Sequence, residues 1–404
     1  MPEHRSRGRR QAIARIRHGA LLMALSAALV GFSSGKARAT APLSVEAVYT
    51  GEAWSNLDGG IRRDTVYLDN LDIAATLDAH HIGLSGTTIG VSTLYNNRNS
   101  FTDEVVGDLQ TISNIDTDGS VRLYEAWIER DIGALSVKAG LIDLNSEFDV
   151  NGPGSLFINS SHGIGPDFSQ VGETGPSIFP VTGLGIRARL ELRPELTFAM
   201  GLFEGTPGNP HSPRRMKFDL DDDEGALLVG ETRHSFAADG MVTLGVWHHT
   251  GGRTPPIGPG MRDGGSTGAY LLVAGRIARA GKIGIEGFAR IGMADPRVHR
   301  IARYAGTGIV LSGPLLADPG SEEQLGVSVA NAINGRQFQR SSAAAGEIVE
   351  RRETVIELTY RMRLARNLAV QPNLQYAINP GMDPGRSNAL AAGLRFEVSW
   401  RHGQ

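Results

Sequence analysis

The chain has 404 residues, with 40 Lys and Arg against 43 Asp and Glu, a formal net charge of −3 and no cysteine. The missing cysteines exclude a disulfide framework and any thiolate metal site. Setting aside the basic leader described next removes eight cationic side chains and one acidic one and takes the charge from −3 to −10. That balance excludes nucleic-acid binding, which needs clustered Lys and Arg.

Residues 1–39 read as a signal peptide. Arg5, Arg7, Arg9, Arg10, Arg15 and Arg17 form a basic region, Ala20 to Phe32 an apolar stretch too short to stop in a bilayer, and Ala37-Arg38-Ala39 a small-residue cleavage site. Residues 40–404 are then the exported domain. No run there is long and apolar enough for a transmembrane helix.

Along the exported domain, turn signals punctuate segments of alternating polarity. Asn56-Leu57-Asp58-Gly59-Gly60 and Asp116-Thr117-Asp118-Gly119 are turns, and Asn151-Gly152-Pro153-Gly154 opens the Gly-, Asn- and Ser-rich stretch Phe148 to Gly165. That stretch reads as a long loop, with a surface position and a fold into the interior both open. Leu184 to Arg193 places aliphatic residues or Ala at every second position and Gly or charge between them. This period of two belongs to strands. Longer loops are expected at Thr206 to Gly225, Gly251 to Gly268 and Asn331 to Gly346. Alternation returns in Ile356 to Leu364, is followed by a turn at Asn379-Pro380-Gly381, and closes in Leu394 to Trp400.

A soluble sandwich and a membrane barrel both alternate. Export, strands without a linker over the whole domain, and a last strand ending in an aromatic, Trp400, favour the barrel; Arg401 to Gln404 follow that aromatic, so it is not terminal. A mean hydropathy of −0.15 fits strands that face lipid on one side and water on the other. The expectation is an all-β, antiparallel transmembrane barrel of about 16 strands, a size that keeps an aqueous channel, in the bacterial outer membrane.

The segments Gly107 to Ile115, Arg122 to Trp127, Gly140 to Phe148, Leu156 to Ile164, Gln371 to Gly381 and Gly393 to Val398 resemble the carbohydrate-selective porin (OprB) family. Weaker similarity runs through Gly201 to Gly205 and Trp247 to Gly251. The resemblance implies a sixteen-stranded outer-membrane barrel that passes sugars passively, with sugars as solutes and outer-membrane lipids around it. A general diffusion porin without sugar preference is the alternative, and monomer and trimer stay open. An enzymatic barrel is the lesser rival, and the reading is a non-enzymatic channel without cofactor.

The solute-contacting candidates follow from alternation. Arg187, Arg189 and Glu191 share one face of a strand, Glu357, Arg361 and Arg363 one face of another, and Arg395 and Glu397 one face of the last. Arg forks donate and carboxylates accept, so such rows bridge vicinal hydroxyls. Gln371, Asn373 and Gln375 add neutral groups. The bland alternative for each is a solvated lumen charge paired with a neighbour. In Arg122 to Arg130 the parity is ambiguous: Trp127 would stack on a sugar if it faced the lumen, while an interfacial girdle is the commoner place for such a residue. The acidic run Asp219 to Gly225 lacks the spacing of a calcium loop, and His248-His249 points to opposite faces of a strand. No metal is expected.

Overall fold

The computed structural model describes residues 42–208, 225–236, 239–251, 265–316 and 322–403. The proposed signal peptide, most of the acidic run Asp219 to Gly225 and much of the expected loops at 206–225 and 251–268 lie outside them. Sixteen strands follow in chain order: β1 (Leu43–Asp58), β2 (Thr65–Asp78), β3 (Thr87–Asn96), β4 (Ser120–Ile132), β5 (Leu135–Ile142), β6 (Gly183–Arg193), β7 (Leu196–Glu204) and β8 (Ala226–Phe236). The second half comprises β9 (Gly240–His249), β10 (Ser266–Ala280), β11 (Ile283–Ala294), β12 (Ile301–Gly313), β13 (Glu323–Asn334), β14 (Arg352–Ala365), β15 (Leu368–Ile378) and β16 (Ala389–His402). Each pairs antiparallel with its neighbours in sequence, and β16 pairs with β1 to close the barrel. Closure gives the strand backbones partners within the sheet, which is the condition for crossing lipid with strands.

The two ends differ. At one, Gly133-Ala134, Pro194-Glu195, Gly281-Lys282 and Arg366-Asn367 turn the chain in two residues. Gly133 and Gly281 supply the left-handed backbone such turns need, each with φ of 62°. The other end carries the long connections 97–119 and 143–182. In outer-membrane barrels the short turns face the periplasm and the long loops the exterior.

Outward residues form an apolar band, with Ile186, Met200, Leu244, Ile309, Val327 and Leu358 all exposed. Tyr67, Tyr95 and Tyr376 edge it toward the long loops and Phe198, Phe236 and Trp400 toward the tight turns. Aromatic girdles of this kind sit at the two membrane interfaces. The expected loop at 331–346 is corrected: β13 continues to Asn334, and α1 (Arg336–Ala344) follows. The alternation Ala330, Ala332, Asn334 keeps burying every second residue to the end of the strand, so pairing continues past the first Asn.

The core lies inside the barrel. Connection 143–182 folds inward and packs Phe148, Ile164, Phe168 and Val171 against Phe203, Val229, Trp247 and Tyr270 of the wall. Connection 97–119 packs Phe101, Val105 and Ile112 against Trp54, Leu68 and Val355. Glycines on the inner face make room for it: a Cβ on Gly326 would meet Leu156 and Phe157 at 2.8 Å, and one on Gly308 would meet Phe157 at 3.0 Å.

Candidate functional site

Three groups of wall residues hold connection 143–182 inside the barrel. Glu147 receives Lys138 at 2.8 Å, Arg187 at 2.8 Å and Arg189 at 2.5 Å, and Arg187 also reaches Glu129 at 2.8 Å. Burial alone would raise the Glu147 carboxyl, but Lys138, Arg187 and Arg189 outweigh it and hold the group below the usual range. Across the lumen, Arg290 of β11 bridges Asp149 and Asp167, each at 2.7 Å, between the rings of Tyr270 and Tyr304. Further round, Glu357 of β14 accepts the Ile158 N–H at 2.7 Å, the Asn159 N–H at 3.1 Å and the Asn373 amide at 2.5 Å.

The shorter connection is held in the same manner. Glu353 accepts the N–H groups of Leu109 at 2.8 Å and Gln110 at 3.0 Å, and Arg395 donates to Asn114 at 2.5 Å while pairing with Glu52. The two connections also join each other, Asn114 N–H donating to the Ile158 carbonyl at 2.9 Å and Ser160 N–H to that of Thr111 at 3.1 Å. Burial pushes the His162 imidazole down to about 3, so it stays neutral beside Ser328, 2.8 Å away.

Alternation therefore predicts the side of each candidate and misses its surroundings. Arg187 and Glu357 face inward with no exposed surface; as solute contacts they are corrected, because connection 143–182 covers them. Gln371 donates to the Leu156 carbonyl at 2.7 Å and Gln375 to that of Ile112 at 2.8 Å, so they too hold backbone. Arg395 is buried by its partners. Glu191 is exposed beside the 194–195 turn, next to an irregularity in the β6–β7 register. Arg189 and Arg361 keep 13% of their side-chain surface and Arg363 keeps 30%. Arg361 pairs with Glu397 at 2.7 Å, and Arg363 with Glu322 at 2.5 Å. These lie toward the tight-turn end, where Arg189 still reaches Glu147 of connection 143–182.

The ambiguous parity of Arg122 to Arg130 has a cause in the register. Ser92 pairs with Glu125 and Thr93 with Leu123, so Tyr124 is an extra residue in β4. This bulge reverses which alternate residues face inward. Arg122 and Tyr124 point inward before it, and Glu125, Trp127 and Glu129 after it. Trp127 thus faces the lumen, the less common of the two places that the parity left open. Its ring lies over Gly90, where a Cβ would meet it at 2.3 Å, and Lys138 Nζ stands 4.0 Å from its centroid. His248 and His249 do point apart: His248 lies 2.8 Å from Thr267 Oγ1, and His249 is buried 2.9 Å from the Gly205 carbonyl.

The anchors Lys138, Glu147, Asp149, Asp167 and Arg290 were not among the sequence candidates. Two signals bear on them. Connection 143–182 carries Phe148, Phe157 and Phe168, which an exposed loop would leave in water, and β10 to β13 carry inward glycines where a plain lumen wall needs none.

The model of the carbohydrate-selective porin, OprB family, matches residues 62–400. Porin B of Pseudomonas aeruginosa is 24% identical over 397 residues, spanning 87% of this chain and 86% of that protein. The high-pH structure of OprB from Pseudomonas putida superposes with a TM-score of 0.79 at 22% identity, covering 89% of this chain and 94% of that one. The anion-selective porin from Comamonas acidovorans shares the barrel at a TM-score of 0.53 and 10% identity, covering 89% and 99%. This chain belongs to the carbohydrate-selective porin OprB family of the bacterial outer membrane.

Proposed function

Taking that membership as the premise, we propose that neutral sugars diffuse passively through the part of the lumen left by the two inward connections, touching the inward side chains that stay partly exposed. These are Trp127, Glu129, Arg189, Arg361 and Arg363, with Glu397 beside Arg361. The carrying observation is that the wall arginines with residual exposure each stand beside a carboxylate. Such pairs present donors and acceptors to hydroxyls while adding little net charge, so a neutral polyol exchanges its water hydrogen bonds without being held. Nothing in this path asks for bond making, and the chain acts as a channel rather than an enzyme.

Planar-bilayer recording of the purified protein tests this. Glucose is expected to block the ion current saturably, and Arg189→Gln and Arg361→Gln to weaken the block severalfold with the barrel intact. An open current indifferent to every sugar would move the reading to a general diffusion porin.

A further inference from the structure

The outward face carries a basic pair at one place on the rim. In the hydrogen-bonded register Arg303 of β12 lies opposite Ile333 of β13, and Ile333 opposite Arg352 of β14. The same row continues back through Met293 of β11 to Ala269 and Val246, which are apolar. Below the pair on the same face come Ala305, Thr307 and Ile309 on β12, Val329 and Val327 on β13, and Thr354, Ile356 and Leu358 on β14. Ile356 stands opposite Tyr376 of the upper girdle. Arg352 is four residues beyond Ile356, which at about 3.3 Å per residue and a tilt near 40° is roughly 10 Å past the girdle. Arg303 and Arg352 are exposed, and neither forms an ion pair with a carboxylate among the described residues. Inward arginines behave differently, as the pairs of Arg189, Arg361 and Arg401 show.

A cation facing lipid is costly at the bilayer midplane and close to neutral at the interface. Two of them, about 10 Å apart on strands two steps removed, edge an apolar band that acyl chains cover. Guanidinium groups suit phosphate because their planar donors match its oxygens. We propose that Arg303 and Arg352 form a docking site for the phosphate of a phosphorylated lipid headgroup in the outer leaflet, with the acyl chains on the apolar face of β12 to β14. Charge complementarity at headgroup level, continuous with that face, selects this occupant over a soluble one.

Intact-mass measurement of the full barrel released from mixed micelles tests the site, using bis-phosphorylated lipid A and its dephosphorylated form as probes. The wild type is expected to retain the phosphorylated form preferentially. Arg303→Gln with Arg352→Gln should lower its affinity about thirtyfold, the effect of two surface cations near an anionic headgroup. Arg303→Lys with Arg352→Lys should restore most of it, and Arg297→Gln, which removes a rim arginine already paired with Asp295 at 2.6 Å, should change nothing. Heat-modifiable mobility and sugar block checked on each variant separate loss of the site from loss of the fold. Equal retention by wild type and the double Gln variant would overturn the proposal. So would displacement of the lipid by inorganic phosphate at equal concentration, or a second protein copy bound in its place.

Discussion

The same strands face two different interiors at their two ends. Toward the long connections, inward positions are apolar or satisfied by backbone: Trp54, Leu68, Val229, Trp247 and Val355 pack in cores, and Glu353 and Glu357 accept loop N–H groups. Toward the tight turns, inward positions are ion pairs with residual exposure, as in Arg361 with Glu397 and Arg363 with Glu322. Upper charges are dry and structural, and lower charges are wetted and exchangeable. A charge on a lumen face therefore says nothing of its role until its cover is known, since a buried pair broken from one side costs several kcal/mol and an exposed pair almost nothing.

The hardest test of that contrast removes the cation shared by two loop carboxylates. Arg290→Met leaves Asp149 and Asp167 buried without their partner and should cost about 3–5 kcal/mol. Connection 143–182 should detach, with larger single-channel conductance, loss of sugar block and new protease cleavage inside 143–182, while the barrel keeps its heat-modifiable mobility. Adding Asp149→Asn and Asp167→Asn should restore most of the block, because the uncompensated charges are then gone.

Overfilling the upper interior should act more gently. Gly326→Leu drives a side chain into Leu156 and Phe157 and should cost about 1–3 kcal/mol, read as a lowered melting temperature and a modest rise in conductance. A third test uses pH. Burial raises the Asp143 carboxyl to about 6, so ionisation is penalised in the folded connection. Its anchoring should be full below about pH 4, where the group is protonated in either state, and weaken as pH rises through about 6. Exchange protection at residues 144–146, taken relative to the intrinsic rate at each pH, should fall over that interval in the wild type and fall less in Asp143→Asn, whose amide oxygen still accepts the Asn145 N–H.

The smallest effect belongs to the lower interior. Arg363→Gln breaks a pair with Glu322 in which the two side chains keep 30% and 46% of their surface, so stability should change by less than about 1 kcal/mol. A change as large as that of Arg290→Met, seen in thermal melts, would erase the distinction between the two ends.

Alternation in Leu184 to Arg193, Ile356 to Leu364 and Leu394 to Trp400 was enough to read strands and the inward side of Arg187, Glu357, Arg361 and Arg395, while the barrel of about sixteen strands rested on export, the unlinked run of strands and the length of the chain. Alternation left Trp127 open, because one extra residue, Tyr124, reverses every later parity and leaves no mark in composition. Side follows from the period of two in a pleated strand, a local property that the sequence carries by itself. Cover does not: whether Arg187 meets water or Glu147 depends on where the chain carries Glu147, 40 positions earlier. Only the closed barrel brings Glu147 to three cations and Arg290 to two carboxylates, because burial and ion pairing are properties of distance in space, which spacing along the chain does not set.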